Sequence, residues 1–247
     1  MRIIELESVD STSTYLKNLS EKEKLANFTT VTAGYQTAGR GQMGTKWTSE
    51  KGMNLTFSTI AYLSNFHVSS QFYLSMAVSL AVLDALKKYA KADWAVKWPN
   101  DILANGKKIC GLLIENSVKG IAVKSTIIGV GININQVNFP SNIRNTNSLK
   151  LMTQQDFDLK EILIDVLSSI KKNIENLSEN NFKNLKEKYY ENLFMFNKVV
   201  KFESTNESIC FAGKIKEISN SGAIAIEMQN KEIKKFNFKE IRLITTN

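Results

Sequence analysis

Residues 39–44 read Gly-Arg-Gly-Gln-Met-Gly and lie just after Gln36. Glycines let a backbone approach a ligand closely and turn its N–H groups toward negative charge, while an arginine between them can grip phosphate or carboxylate through two parallel hydrogen bonds. The spacing fits neither a P-loop, which ends in Gly-Lys-Ser/Thr, nor the dinucleotide fingerprint. Taken alone, the cluster is as compatible with a plain flexible loop as with an anion site. A second word, Lys97-Trp98-Pro99-Asn100-Asp101, sets a lysine ahead of a proline that forces a turn. That arrangement can fix an ammonium in a partly buried position beside developing phosphate charge. The same residues also suit a structural purpose, with Trp98 in a core, Pro99 ending a strand and Asn100-Asp101 turning the chain. The single histidine, His67, leaves a His-based metal site or catalytic triad without its parts.

Positioning these residues requires elements on both sides of them. Residues 3–7 alternate as a strand, and Asp10-Ser11-Thr12 offers caps for a short helix through Tyr15, Leu16 and Leu19. Residues 29–35 read as a strand. Residues 36–52 form a long loop carrying four glycines (Gly39, Gly41, Gly44, Gly52) with Arg40, Lys46 and Lys51, a length that in compact domains usually marks function or disorder. A strand over 54–62 and a helix over 68–89 follow. The helix is apolar around most of its surface and is therefore expected at the centre. A strand at 95–98 runs into Pro99, and Asn105-Gly106 signals a tight hairpin between 102–103 and 108–114. Lys119-Gly120 turns the chain into a strand over 121–134. The sum is a mostly antiparallel sheet with helices against it, an α+β arrangement. Beyond a polar loop at 136–148, helical spacing covers 159–177 and 181–194. Five short β runs then fill 199–244, suggesting a small barrel and a boundary near Phe196.

Length and composition bound the rest. The chain has 247 residues, 43% hydrophobic and 23% charged, which fits one sizeable core with a small annex. Charges at Arg2, Glu5 and Glu7 break up any N-terminal export signal. The apolar run 72–83 is well short of the ~20 residues needed to cross a bilayer. Cys110 and Cys210 make neither a disulfide framework nor a metal cluster, so a reduced, cytoplasmic protein is expected, with its Asn-X-Ser/Thr sequons fortuitous. The net charge of +8 is spread among interleaved acids without a long basic block.

Taken in order, these words resemble the biotin–protein ligase family over essentially the whole chain. Ser11-Thr12-Ser13 is similar to the family's Ser-Thr motif near the biotin ring. Gln36 with Gly39-Arg40-Gly41-Gln42 is similar to its glycine-rich biotin and adenylate loop, and Lys97-Trp98-Pro99-Asn100-Asp101 to its most diagnostic word. Gly111 and residues 128–133, Ile-Gly-Val-Gly-Ile-Asn, are similar to the strands that floor the pocket. The resemblance implies a class II synthetase-like catalytic domain over 1–196, with a mixed sheet and helices, and an SH3-like C-terminal barrel over 197–247. It also implies the activity: ATP activates biotin to biotinyl-5′-AMP, with Mg²⁺ as the triphosphate's counter-ion, and biotin passes to a lysine of a biotin carboxyl carrier domain. No tightly bound metal and no membrane association are expected, and the protein would be a monomer or homodimer. Many bacterial members carry an N-terminal helix-turn-helix repressor; ten residues precede Ser11 here, so no repression of transcription is expected. Gln42 stands where many members have another arginine, which exchanges a phosphate-holding cation for a neutral amide.

By the same resemblance, Lys97 and Arg40 are the catalytic cations beside the biotin carboxylate and the α-phosphate. Ser11, Thr12, Ser13, Gln36, Gly39, Gly41, Gln42 and Gly111 join them around biotin. Asn100 and Asn133 fall to the adenylate with Arg40, Asn133 reading the adenine edge. Trp47 suits stacking on adenine or anchoring the loop, and Asp101 suits deprotonating the acceptor lysine or shaping the turn. The +8 balance would steer an acidic carrier, or reflects a Lys-rich composition. Two alternatives stand beside this reading. One is a lipoate or octanoate ligase or transferase of the same superfamily, whose pocket must take a long apolar tail. The other is a nucleic-acid adaptor that uses Lys234, Lys235 and Phe236 of the barrel.

Overall fold

Asn105 and Gly106 both adopt positive φ, 52° and 73°, in a computed structural model that describes residues 1–141, 143, 145–205 and 209–244. A two-residue hairpin turn of the primed type demands that conformation, and it fixes the register of the strands on either side. Among the described residues, seventeen α-helices and β-strands follow one another: β1 (Ile3–Leu6), α1 (Thr12–Lys22), β2 (Thr30–Ala33), β3 (Leu55–His67), α2 (Gln71–Leu86), β4 (Trp94–Lys97), β5 (Asp101–Ala104), β6 (Lys107–Lys119), β7 (Ala122–Ile132), α3 (Leu149–Thr153), α4 (Leu159–Glu175), α5 (Phe182–Glu191), β8 (Val199–Ser204), β9 (Cys210–Ile218), β10 (Ile224–Met228), β11 (Ile233–Phe236) and β12 (Ile241–Ile244).

The first seven strands form one sheet in the order β1-β2-β3-β7-β6-β5-β4, parallel only between β1 and β2. α2 lies beneath it and packs against α4 and α5. Its apolar residues face every direction, and from Phe72 to Leu86 nearly all are buried. The segment Val68–Leu86 has the length and hydropathy of a membrane span, yet 67% of its window is buried inside the protein, as a core helix requires. On the opposite face, Leu16 and Leu25 close a smaller cluster with Val31, Ile60 and Ile127. This cluster seats α1 so that its first residues look onto the middle of the sheet.

The five strands expected after Phe196 form a second antiparallel sheet, ordered β11-β10-β9-β8-β12, with β11 and β12 at its edges. Residues 206–208 and 245–247 of the expected barrel span, and residues 142 and 144 of the expected polar loop, lie outside the described residues. The core does not break near Phe196. Phe202, Ile215, Ile218, Ile224 and Ile241 belong to the same buried cluster as the α2 side chains. The Trp98 indole N–H donates to Gly222 O (2.9 Å), and Phe72 N–H to Asn220 O (3.0 Å). Three elements differ from the sequence reading, the first being β6, which runs on past residue 114 to Lys119. β3 continues past Tyr62 through an irregularity between Tyr62 and Phe66, and the short helix α3 follows the polar loop. Ser148 caps α3 by accepting from Leu151 N–H (3.1 Å).

Candidate functional site

Between the glycine loop, the sheet and the C-terminal strands lies a cavity of about 660 Å³. Its uncharged end is built by the start of α1. Ser11, Thr12 and Ser13 are all buried. Thr12 donates to Gln36 Oε1 through both its backbone N–H (2.8 Å) and its hydroxyl (3.1 Å), and its hydroxyl also meets Ser58 Oγ (2.8 Å). Ser11 and Ser13 share a hydroxyl contact at 3.0 Å. With Oε1 spent on Thr12, what Gln36 offers a ligand is its amide donor. This end is a closed set of hydroxyls and amides suited to a small neutral polar ring, because such a ring must be hydrogen-bonded to be buried without penalty.

The lining is also rich in cations. Arg40, Lys46, Lys97, Lys108, Lys239 and Arg242 all line the cavity, and Asp101 is the one carboxylate among the described lining residues. Lys97 ends β4 directly across from Asp101. Burial pulls its pKa below the ordinary lysine value; Asp101 opposes that shift, while Lys108 and Arg242 add to it. Asp101 is paired with Lys108 at 2.7 Å. Asn100 is tied to β6 in both directions, donating from Nδ2 to Leu112 O (2.7 Å) and accepting from Leu112 N–H (2.9 Å), so the word after β4 is rigidly set. Trp98 lines the cavity and also reaches the C-terminal sheet, its ring 5.5 Å from that of Phe238.

The glycine loop is folded onto this site. Arg40 makes a two-point ion pair with Glu115 of β6, at 2.6 and 3.0 Å, and its side chain remains 42% exposed. Trp47 lies flat in a slot where β6 and β7 carry paired glycines. A Cβ at Gly131 would stand 2.4 Å from the indole, and one at Gly111 would stand 3.1 Å from it. The Lys108 ammonium sits 5.7 Å from the centre of the same ring, a cation–π contact. Here Trp47 anchors the loop, and its indole nitrogen is buried without a partner. Gly39 and Gly41 permit the tight fold: a Cβ at either would meet Trp47 O or Thr45 Oγ1 at 2.4 Å.

The structure thus gathers Ser11, Thr12, Ser13, Gln36, Arg40, Gly41, Gln42, Trp47, Lys97, Asn100 and Gly111 around one space. Gly39 and Asn133 are not in the lining. Gly39 supports the loop from behind, its carbonyl accepting from Trp47 N–H (2.9 Å). Asn133 is buried and donates from Nδ2 to Asn147 O (3.1 Å), tying β7 to the segment before α3. Phe236, considered above as a nucleic-acid contact, stacks on Phe211 within the C-terminal sheet. Lys108, Lys239, Arg242 and Phe238 were not assigned from the sequence. Lys108 opens the strand expected after the Asn105-Gly106 hairpin and could have been marked by that place. The other three come from a sheet whose docking no local pattern encodes.

Comparisons with known proteins bear on the family and the fold. A profile of the biotin/lipoate A/B protein ligase family matches residues 5–133. The bifunctional ligase/repressor BirA of Bacillus subtilis is 30% identical over 218 residues, which is 87% of this chain and 66% of the relative. The chain therefore spans just under two thirds of that protein's length. The biotin–[acetyl-CoA-carboxylase] ligase of Mycobacterium tuberculosis is 36% identical over 107 residues, covering 42% of this chain and 38% of the relative. Among solved structures, the biotin protein ligase from Aquifex aeolicus in complex with biotin and ATP superposes with a TM-score of 0.81 at 30% identity, covering 99% of each chain.

Proposed function

The chain belongs to the biotin/lipoate A/B protein ligase family, and from that premise we propose that it is an ATP-dependent biotin–protein ligase. The observation that carries the reading is the make-up of the cavity lining: the buried hydroxyls and amide around Thr12 and Gln36, and six cations with a single carboxylate among the described lining residues. Biotin has that same division, with a neutral ureido ring at one end and a carboxylate at the other that must meet a triphosphate. A lipoyl or octanoyl tail would leave the groups around Thr12 and Gln36 unmatched. The Mycobacterium tuberculosis relative is a biotin–[acetyl-CoA-carboxylase] ligase and the Aquifex aeolicus structure a biotin protein ligase with biotin and ATP, which favours the same choice.

In the first step a biotin carboxylate oxygen attacks the α-phosphorus, the bond to the bridging oxygen breaks, and pyrophosphate leaves. Lys97 and Lys108 face the negative charge gathering there, and Arg40 brings the guanidinium donors that Glu115 does not occupy. In the second step the amine of a carrier-domain lysine attacks the acyl carbon, and AMP departs with the former carboxylate oxygen. Asp101 is engaged with Lys108, which favours a role in holding that lysine over one in deprotonating the acceptor. Magnesium would offset charge on the triphosphate. It would be carried mainly by phosphate oxygens and water. Both cysteines are free, in keeping with a cytoplasmic site of action. Residues 1–196 would carry the chemistry, with 197–247 closing the cavity.

Pyrophosphate exchange run in parallel with biotin, lipoate and octanoate tests this assignment: biotin should support exchange far above the other two, and silence with biotin would refute it. An acyl adenylate hydrolyses if water reaches it, so the folded loop has a chemical purpose. Trypsin cleavage between Arg40 and Lys51 is accordingly expected to slow when biotin and ATP are added together. A cutting pattern indifferent to both would count against an ordered lid.

A further inference from the structure

The glycine loop turns at Gln42–Gly44, where Met43 adopts a left-handed backbone (φ 52°) that a non-glycine residue rarely takes without outside support. The Met43 side chain is half exposed and gives little of that support. Its carbonyl, however, accepts a hydrogen bond from the Lys239 ammonium, 196 positions along the chain. Lys239 sits in the turn between β11 and β12, itself at φ 67°. That turn is firmly made: Glu240 accepts from Asn237 N–H (2.6 Å) and Nδ2 (3.2 Å), the Thr205 hydroxyl donates to Lys239 O, and Thr205 N–H donates to Glu240 O (2.9 Å). Phe238, one residue earlier, packs on Trp98 beside Lys97 and approaches Phe72 of α2. One C-terminal turn therefore holds the two words of the site together, gripping the post-β4 segment with Phe238 and the glycine loop with Lys239.

We propose that Lys239 is a positioning residue that clamps the glycine loop over the cavity, so that the C-terminal turn acts in biotin activation through the loop it holds. The kinetic consequence rests on the ligase reading above; the loop consequence does not. Lys239 is exposed, so its replacement removes a donor without opening the core.

The test compares the wild-type chain with Lys239→Met, which keeps length and loses the donor, and Lys239→Arg, which keeps a donor. Without ligand, tryptic cleavage within residues 40–51 should run about five- to tenfold faster in Lys239→Met, the factor expected when one solvent-exposed hydrogen bond of ordinary strength no longer opposes local opening, and Lys239→Arg should return most of the way. In biotin-dependent exchange, the KM for biotin should rise in Lys239→Met by a similar factor, more than kcat falls, again with rescue by arginine. An unchanged loop cleavage rate in Lys239→Met would overturn the clamp, as would acceleration extending through Lys231 and Lys234, which would mean that the whole C-terminal sheet had loosened. If no variant supports exchange but loop cleavage still accelerates and is rescued, the ligase assignment falls and the clamp stands.

Discussion

Lys97→Ala should lower biotin-dependent pyrophosphate exchange by about 10²–10³-fold, the loss seen when one preorganised donor to a developing charge is removed, equivalent to about 2.7–4 kcal/mol. The side chain leaves the end of β4 into a wall that already holds Lys108 and Arg242, and burial depresses its pKa. A lysine whose folded pKa lies below its unfolded value is penalised when charged. That penalty is full below the folded pKa and fades as pH rises past it toward the ordinary value. At neutral pH the ammonium therefore costs stability, and Lys97→Ala should melt at the wild-type temperature or slightly above it. Activity runs the other way. Wild-type exchange should fall as pH rises through the depressed lysine pKa, since the neutral amine no longer offsets phosphate charge, and the residual activity of Lys97→Ala should lack that alkaline limb. Exchange within a few-fold of wild type in a variant with an unchanged melting transition would remove Lys97 from the chemistry.

How much of this site the sequence discloses depends on the range of the interaction that makes each part. Asn105-Gly106 announces its hairpin because two adjacent residues must both take positive φ, a demand satisfied locally. α2 announces its burial by carrying apolar groups on every face. The glycine loop shows as an interruption between strands, and Lys97 as a cation fixed by the proline two residues later. The cations that complete the wall do not show. Lys239 and Arg242 reach the cavity only because the C-terminal strands share the core of the first sheet, and Arg40, legible as a loop cation, gives no sign of its partner Glu115 75 positions away. Asn133 illustrates the opposite limit. Its residue type suits reading a base edge, but the hydrogen bond it makes goes to Asn147, and nothing in the run Ile-Gly-Val-Gly-Ile-Asn foretells that partner. β3 ran past its expected end for a similar reason, because its register with β7 resumes at Phe66↔Val123 after the irregularity and so carries the strand through polar residues that by themselves read as loop.

Gly131→Ala should damage biotin binding severely. Its added carbon would stand 2.4 to 2.7 Å from three atoms of the Trp47 indole, far inside van der Waals contact. The strand cannot yield, since Gly131 is held in register between Thr56 of β3 and Gly111 of β6. The indole must therefore leave its slot, and with it goes the segment that carries Arg40. Overpacking of a well-fitted site costs about 1–3 kcal/mol, so biotin affinity should fall about five- to 150-fold by calorimetric titration. Because the clash is with a loop, the global melting temperature should move little. Trp47→Ala distinguishes this route from any direct collision between the new methyl and the ligand. If the damage passes through the indole, the double variant should bind biotin no worse than Trp47→Ala alone, a strong departure from additivity. Additive losses in the double variant would mean that the glycine slot receives the ligand itself and that Trp47 is only its neighbour.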